Sequence, residues 1–180
     1  MALGRWKKVR QEFEISNPWW TYRKDLVRLP NGRPGEYHFV HVAGSSMIIP
    51  VRADGSILLV IQYRYLADRE SLEFPCGSVR ESSTYEQTAR HELAEETGFA
   101  PGRLEEAGSF NPYNGVTDEF CRVYVARDLT PAAAQRDETE EFELLSAPPA
   151  EVDRLIRTGA IWDGMSLSAW ALARHIFLPA

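Results

Sequence analysis

The chain of 180 residues is long enough for one domain with a substantial core, and its 44% hydrophobic and 26% charged residues are typical of a globular protein. Its 20 Lys and Arg residues against 26 Asp and Glu residues give a net charge of -6, which argues against broad binding to nucleic acids or anionic membranes. The first eight residues lack the apolar core of a signal peptide and no apolar run has the length of a membrane span, so we expect a cytoplasmic protein without nucleic-acid or membrane partners.

An aromatic and basic segment lies near the start of the chain, from Asn17 to Asp25. Its rings, Trp19, Trp20 and Tyr22, could stack on a nucleobase, a contact worth about 1–3 kcal/mol per base. Packing in the core, or a contact between two copies of the chain, explains these rings equally well. They are therefore candidate substrate-binding residues with two alternatives left open.

Five segments have the alternation or the β-branched content of strands: 36–42, 46–51, 57–65, 120–126 and 141–145. The turn signal Ala53-Asp54-Gly55-Ser56 separates the second from the third and predicts a hairpin between them. Helical spacing occurs at 149–157, which Gly159 should end, and at 166–176. With a central helix, these elements predict an α+β layered fold. The two cysteines, Cys76 and Cys121, are too few for a disulfide framework or a zinc site, and we expect them to be buried.

The most informative segment is 77–99, a glycine followed by a helix that carries carboxylates on one side. Glu92, Glu95 and Glu96 stand at i, i+3 and i+4, so their side chains project from one flank and can converge. No Lys or Arg lies within this run to offset their repulsion. Carboxylates in this number suit Mg²⁺ or Mn²⁺, which also bridge to substrate phosphates. A solvated acidic face is the alternative.

The sequence also specifies both ends of this helix. Gly98 predicts a left-handed stop at the C-terminal end. Pro75-Cys76-Gly77 predicts a tight turn before the helix, and Leu93 and Phe99 can pack on the side opposite the carboxylates.

This segment resembles the Nudix box, G-x5-E-x7-R-E-U-x-E-E-x-G-U, in which U is a bulky aliphatic or aromatic residue. The residues in register are Gly77, Glu92, Leu93, Glu95, Glu96, Gly98 and Phe99. The resemblance implies an α/β/α sandwich around a mixed β-sheet. It also implies that 1–180 form a single Nudix hydrolase domain, in which 1–42 are an N-terminal segment.

Two positions of the box depart from the family pattern. Ser83 stands where the family has Glu, and His91 stands where it has Arg, so a carboxylate and the guanidinium that anchors it are both absent. A double loss leaves no unpaired charge, and we expect Ser83 and His91 to hydrogen-bond to each other while metal binding is kept. Glu81 and Glu86 are near enough in sequence to serve as an outer carboxylate.

Further segments, at 62–64, 72–77, 114–119 and 137–141, are similar in order and spacing to the family's ADP-ribose and nucleoside-diphosphate-sugar pyrophosphatases. The resemblance implies that Arg64 lies near the substrate phosphates, with Glu73 and Glu119 also in the substrate site. It implies that the backbone carbonyl of Cys76 completes the metal shell. For Arg64 taken alone, a surface ion pair is the alternative.

The resemblance also implies that an acidic loop carries the catalytic base, and Glu138 and Glu140 are the matching positions. For a lone acidic run, a solvated loop is the alternative. We expect Glu92 and Glu96 to bind the metal directly and Glu95 to share it or support it, which places Glu96 in the catalytic set. The loop carboxylate would take a proton from water once the loop closes, and Glu119 is the next candidate for this role.

Two hypotheses about function follow. The first is an enzyme that uses Mg²⁺, or Mn²⁺ in its place, to hydrolyse the pyrophosphate bond of ADP-ribose or a nucleotide sugar into a nucleoside monophosphate and a second phosphorylated product. The second is a ligand-binding or regulatory protein of the same fold that has lost turnover through Ser83 and His91. Retention of all three helix carboxylates favours the enzyme. In the resembled branch the N-terminal region helps build a dimer whose chains share the nucleotide site, so we expect a homodimer.

Overall fold

The computed structural model describes residues 3–80, 82–133 and 143–178. The chain forms two compact units, Met1–Ala43 with Asn111–Glu119, and Gly44–Phe110 with Phe120–Ala180. The first boundary lies next to the predicted end of the N-terminal segment at residue 42. None of the helices in the described part of the chain is both long and apolar enough to cross a membrane.

The first unit is built on an antiparallel sheet of three strands, β1 (Lys7–Ser16), β2 (Thr21–Arg28) and β3 (Pro34–His41), with β2 in the middle. The loop Asn111–Glu119 belongs to the same unit. It is attached to β3 by a parallel bridge between Val40 and Thr117 and by a 2.8 Å contact between His41 Nδ1 and Asp118 Oδ2. Every residue of β1 is exposed.

The second unit contains two sheets. Strands β4 (Ser45–Pro50), β7 (Cys76–Ser78), β8 (Phe99–Phe110) and β9 (Cys121–Pro131) form a mixed sheet in the order β7-β4-β9-β8, in which β4 and β9 are parallel. Strands β5 (Ile57–Arg64), β6 (Arg69–Glu73) and β10 (Glu143–Ala147) form an antiparallel sheet in the order β10-β5-β6. A 3₁₀ turn, Tyr65–Ala67, joins β5 to β6.

Three helices complete the described part of this unit: α1 (Tyr85–Thr97), α2 (Pro149–Arg157) and α3 (Gly164–Phe177). Successive residues of a strand face opposite sides, and β4 shows this directly. Ile48 packs with Leu93 of α1, whereas Met47 lies in the main core with Trp170 of α3. That main core also contains Leu59 of the second sheet. The predicted α+β fold, with sheets layered between helices, is confirmed.

The predicted strands and both C-terminal helices are found within a few residues of their expected positions, although 141–142 lie outside the described residues. The predicted hairpin of 46–51 with 57–65 is wrong. A single bridge joins Val51 to Ile57, after which β4 pairs with β7 and β9 while β5 pairs with β6 and β10. Both edges of each strand are occupied by other partners, which leaves no edge for a hairpin ladder.

The predicted tight turn at Pro75-Cys76-Gly77 is also wrong. Residues Cys76–Ser78 form β7, in which Gly77 lies opposite Ser46 of β4. The two cysteines are not joined by a disulfide; Cys121 is buried as expected, whereas Cys76 is only half-buried. The extended backbone of β7 matters for the site because it brings a strand edge up to helix α1.

Candidate active site

Helix α1 has well-defined ends, which fix the positions of its acidic residues. At the N-terminal end Thr84 and Gln87 form a reciprocal capping box, in which the backbone N–H of Gln87 donates to Thr84 Oγ1 at 3.2 Å. At the other end Gly98 adopts φ 74° and its N–H donates to the Ala94 carbonyl at 2.9 Å. The predicted glycine stop is confirmed. The capping box was not predicted, although the Thr-x-x-Gln spacing is visible in the chain.

The carboxylate of Glu92 occupies the space that a side chain at Gly77 would need. A Cβ built on Gly77 would lie 2.0 Å from Glu92 Cδ and 2.3 Å from its Oε1. Any residue larger than glycine would therefore displace the Glu92 carboxylate. The glycine of the motif and its glutamate, 15 positions apart in the sequence, form a single packing unit.

The buried Glu96 faces the edge strand β7. Glu96 is only 5% exposed, and its Oε2 accepts a hydrogen bond from the backbone N–H of Cys76 at 3.3 Å. In an extended strand the N–H and C=O of one residue point to the same side. The Cys76 carbonyl therefore lies on the same edge as Glu96, an orientation compatible with its predicted role as a metal ligand.

Three side chains on the C-terminal half of α1 converge on a common point. One potential ligand atom from each of His91, Glu92 and Glu95 lies within 4.8 Å of the others, and His91 Nδ1 is 3.0 Å from Glu95 Oε2. Carboxylates with an imidazole form a donor set that fits a divalent cation. Glu96, which is also among the described residues, is not part of this group. The predicted trio is thus divided, with Glu92 and Glu95 together and Glu96 turned to β7.

The expected hydrogen bond between Ser83 and His91 is wrong. Within the described residues His91 contacts Glu95, which is one helical turn away, and no hydrogen bond joins its ring to Ser83. Ser83 lies just before α1, about two helical turns before His91. The histidine side chain is also shorter than the arginine side chain that the family pattern has at position 91. Both residues nevertheless line one cavity of about 240 Å³, together with Ser78, Arg80, Gln87, Thr88 and Glu92.

Of the two suggested outer carboxylates, Glu86 is engaged elsewhere. Glu86 Oε1 accepts hydrogen bonds from the guanidinium of Arg90, with Nη2 at 2.9 Å, on the surface of α1. Glu81 lies outside the described residues. The carboxylate that the family has at position 83 is therefore not replaced by Glu86.

Arg64 and Glu73 form a bidentate ion pair between the adjacent strands β5 and β6. Arg64 Nε donates to Glu73 Oε1 at 2.8 Å, and Nη2 donates to Oε2. Glu73 is 2% exposed, and the hydrogen bonds that its carboxylate accepts from the guanidinium raise the pKa of Arg64. The alternative of an ion pair is thus found, although only Arg64 is exposed and its acidic partner is buried. The Arg64 side chain remains 45% exposed and can meet a ligand while Glu73 holds it.

The aromatic candidates lie in the first unit, at the turn between β1 and β2. The backbone N–H groups of Trp19 and Trp20 both donate to Asn17 Oδ1, at 2.8 and 2.9 Å. Trp19 is 78% exposed and Trp20 is 45% exposed, which excludes core packing for both rings. Tyr22 Oη is 2.6 Å from His38 Nδ1. Stacking on a base and contact with another copy of the chain remain the two interpretations of Trp19 and Trp20.

Glu119 ends the loop of the first unit. The Asn111 side-chain amide donates to the Glu119 carbonyl at 2.7 Å, and the Glu119 N–H donates to Thr117 Oγ1 at 3.1 Å. The two predicted loop bases, Glu138 and Glu140, lie outside the described residues. Their role stays a prediction.

Comparison with known proteins places the chain in a family. Residues 41–165 match the NUDIX domain. An ADP-ribose pyrophosphatase from Bacillus subtilis (strain 168) is 29% identical over 145 residues, which cover 79% of this chain and 78% of the relative. A methanol dehydrogenase activator from Bacillus methanolicus is 31% identical over 165 residues, covering 91% and 89%.

A solved structure described as an ADP compounds hydrolase superposes with a TM-score of 0.86 over 98% of this chain and 96% of that one, at 21% identity. At this identity the superposition shows the fold. The chain belongs to the Nudix family, and an ADP-ribose pyrophosphatase is among the relatives that it resembles. The motif identified in the sequence is thus confirmed as a Nudix box, with Ser83 and His91 as its two departures.

Proposed function

We propose that this protein hydrolyses the pyrophosphate bond of a nucleoside diphosphate linked to a sugar, with ADP-ribose as the first candidate substrate. The products would be a nucleoside monophosphate and a phosphorylated sugar. The observation that carries the proposal is the convergence of Glu92 and Glu95 beside Gly77, at the position where the Nudix box places its metal-binding carboxylates. The name of the Bacillus subtilis relative supports ADP-ribose.

We propose Mg²⁺ as the cation, with Mn²⁺ able to replace it. Glu92 and Glu95 would hold it, with Glu96 and the Cys76 carbonyl at the neighbouring strand edge. A divalent cation bound there neutralises phosphate oxygens and lowers the pKa of a bound water. The fit is supported by the donor set of the described residues, in which the ligand atoms lie within 4.8 Å.

The protein's own groups then have separate tasks. Gly77 leaves room for the Glu92 carboxylate, and the Cys76 N–H fixes the Glu96 carboxylate. Arg64 would bind a substrate phosphate through its exposed part while Glu73 holds the guanidinium in place, since a planar fork binds phosphate oxygens well. A loop carboxylate, Glu138 or Glu140, would accept the proton from the attacking water, with Glu119 as the next candidate.

We propose in addition that Trp19 and Trp20 stack on the base, with Tyr22 beside them, and that the protein is a cytoplasmic homodimer. The exposed apolar side chains of β1 support the dimer: Val9, Phe13 and Ile15 are 50%, 50% and 58% exposed. An exposed strand with such side chains commonly meets a partner surface. Phe13→Asp should shift the mass measured by light scattering from two chains to one, and an unchanged mass would contradict this interface.

A regulatory protein is the second candidate function. The relative from Bacillus methanolicus is called an activator, and this chain shares 31% identity with it. The departures at Ser83 and His91 are compatible with reduced turnover. A protein of this kind would bind a nucleotide ligand in the same site without hydrolysing it at a useful rate.

One substrate panel separates the two functions. The purified protein is incubated with ADP-ribose, nucleotide sugars, dinucleoside polyphosphates and coenzyme A, with Mg²⁺ or Mn²⁺, and the released monophosphate is quantified. Hydrolysis of ADP-ribose or a nucleotide sugar supports the enzyme. Tight binding of ADP-ribose in calorimetry without product release supports the regulatory protein and contradicts the proposed reaction.

A further inference from the structure

His91 occupies the position where the family pattern has arginine, and its surroundings differ from those of an anchoring arginine. Its side chain is 54% exposed, and its Nδ1 lies 3.0 Å from Glu95 Oε2, one turn further along α1. It also borders the cavity that Glu92 lines. The imidazole therefore faces the two converging carboxylates and has no hydrogen bond to Ser83.

We propose that His91 is itself a ligand of the divalent cation, and that its imidazole raises the affinity of this site for Mn²⁺ or Co²⁺ relative to a site with oxygen ligands alone. The proposal rests on the metal site put forward under the proposed function. It adds one ligand and a shift in metal affinity to that site. The box arginine of the family pattern has no lone pair to give a cation, so this ligand is absent from that pattern.

The distances fit this assignment. In an octahedral site with ligands about 2.1 Å from the ion, two adjacent ligand atoms lie about 3.0 Å apart and two opposite ones about 4.2 Å apart. The separation of His91 Nδ1 from Glu95 Oε2 is 3.0 Å, that of an adjacent pair. The third ligand atom, from Glu92, lies within 4.8 Å of both. A small movement of flexible side chains closes the remaining gap.

The neighbouring strand fixes the position of one member of this cluster. Glu92 is packed against the bare backbone of Gly77, which keeps the carboxylate at the helix face shared with His91. The only described cation in the lining of the adjacent cavity is Arg80. The cluster therefore contains the Glu92 carboxylate, which packs against Gly77, the Glu95 carboxylate and the His91 imidazole.

Ligand chemistry gives the direction of the shift in affinity. Oxygen ligands alone suit Mg²⁺, whereas an imidazole nitrogen favours later divalent ions of the first transition row. The site thus gains a nitrogen ligand relative to the family pattern.

The test uses the full-length protein freed of metal, and the variants His91→Gln and His175→Gln. His175 is an exposed histidine in the last turn of α3 and serves as the matched control. Mn²⁺ is titrated by electron paramagnetic resonance, its nitrogen couplings are measured by pulsed experiments, and Mg²⁺ affinity is obtained by competition. These readouts do not depend on turnover.

We expect a directly coordinated nitrogen on Mn²⁺ in the wild type and in His175→Gln, and its loss in His91→Gln. The variant should also lose on the order of tenfold in Mn²⁺ affinity, with a smaller loss for Mg²⁺. Bound Mn²⁺ without nitrogen coupling would overturn the role of His91 and leave the proposed function standing. A wild type that binds no Mn²⁺ would overturn the metal site and this inference together.

Discussion

The Glu92 carboxylate fills the space that a side chain at Gly77 would need, with Glu92 Cδ only 2.0 Å from a Cβ built at that position. The strand edge and the helix therefore constrain each other through one carboxylate. This contact explains in physical terms why the motif begins with glycine. It also shows how a substitution on β7 can damage a site formed mainly by α1.

Gly77→Ala should lower kcat on the order of 100-fold, a loss comparable to removing one electrostatic catalytic group. The added methyl group displaces Glu92 from the other ligand atoms, and the fold should persist because the backbone at Gly77 is extended. Steady-state kinetics and circular dichroism test this. Gly164→Ala is the control, since nothing lies within 4 Å of a Cβ there. Equal activities for the two variants would show that the contact with Gly77 does not fix the position of Glu92.

Glu96→Gln should reduce kcat by on the order of 100-fold or more while the melting temperature changes little. The amide oxygen of Gln can still accept the hydrogen bond from the Cys76 N–H, so the contact with β7 survives while the negative charge is lost. Kinetics at several metal concentrations make the comparison. An active Glu96→Gln protein with unchanged metal dependence would remove Glu96 from the catalytic set.

The sequence predicted the acidic helix, and the reason is local. Gly98 and the spacing of Glu92, Glu95 and Glu96 are features of one continuous segment. Where each carboxylate points could not be read in the same way. Glu96 turns to the N–H of Cys76, 20 residues earlier, and that depends on β7 forming at the edge of the sheet.

The missed strands have the same kind of explanation. Strand β1 was not predicted although Val9, Phe13 and Ile15 alternate with polar residues; all of its residues are exposed, so no buried face reinforces this pattern. Strand β8 contains Pro101, Gly102 and Gly108, residues that weaken a strand assignment from the sequence. In both cases pairing with a neighbouring strand, which a single sequence does not display, decides the structure.

Glu138→Gln or Glu140→Gln should slow the chemical step strongly with little change in substrate Kd, and Glu138 is the first choice. The base acts on water, so its loss should leave ground-state binding intact. Single-turnover kinetics and calorimetry on both variants provide the two quantities. If neither variant slows the chemical step, the base lies elsewhere and Glu119 is tested next.

Asp153 should contribute to stability in a pH-dependent manner. Hydrogen bonds from Arg174, at 2.7 Å, and from Trp170, at 3.1 Å, lower the pKa of Asp153 to about 2. Because the folded pKa lies below the unfolded value of about 3.9, this contribution is present above about pH 4 and is lost as the pH falls through about 2. Asp153→Asn should lower the melting temperature at pH 7 and flatten its decline between pH 4 and pH 2.

The control for this prediction is Glu143→Gln, which alters an exposed carboxylate on β10. Melting temperatures are measured by differential scanning calorimetry across the same pH range. If the wild type and Asp153→Asn lose stability in parallel between pH 4 and pH 2, the link between α2 and α3 is not made by the ionised carboxylate.

Glu92→Gln tests most directly whether the carboxylates of α1 hold a cation for pyrophosphate hydrolysis. Monophosphate release from ADP-ribose is measured for the wild type, for Glu92→Gln and for Glu105→Gln, an exposed glutamate on β8, with and without a chelator. We expect the wild type and Glu105→Gln to release the monophosphate only when a divalent cation is added, and Glu92→Gln to lose at least on the order of 100-fold in kcat. Undiminished hydrolysis by Glu92→Gln, or hydrolysis that survives the chelator, would contradict the account.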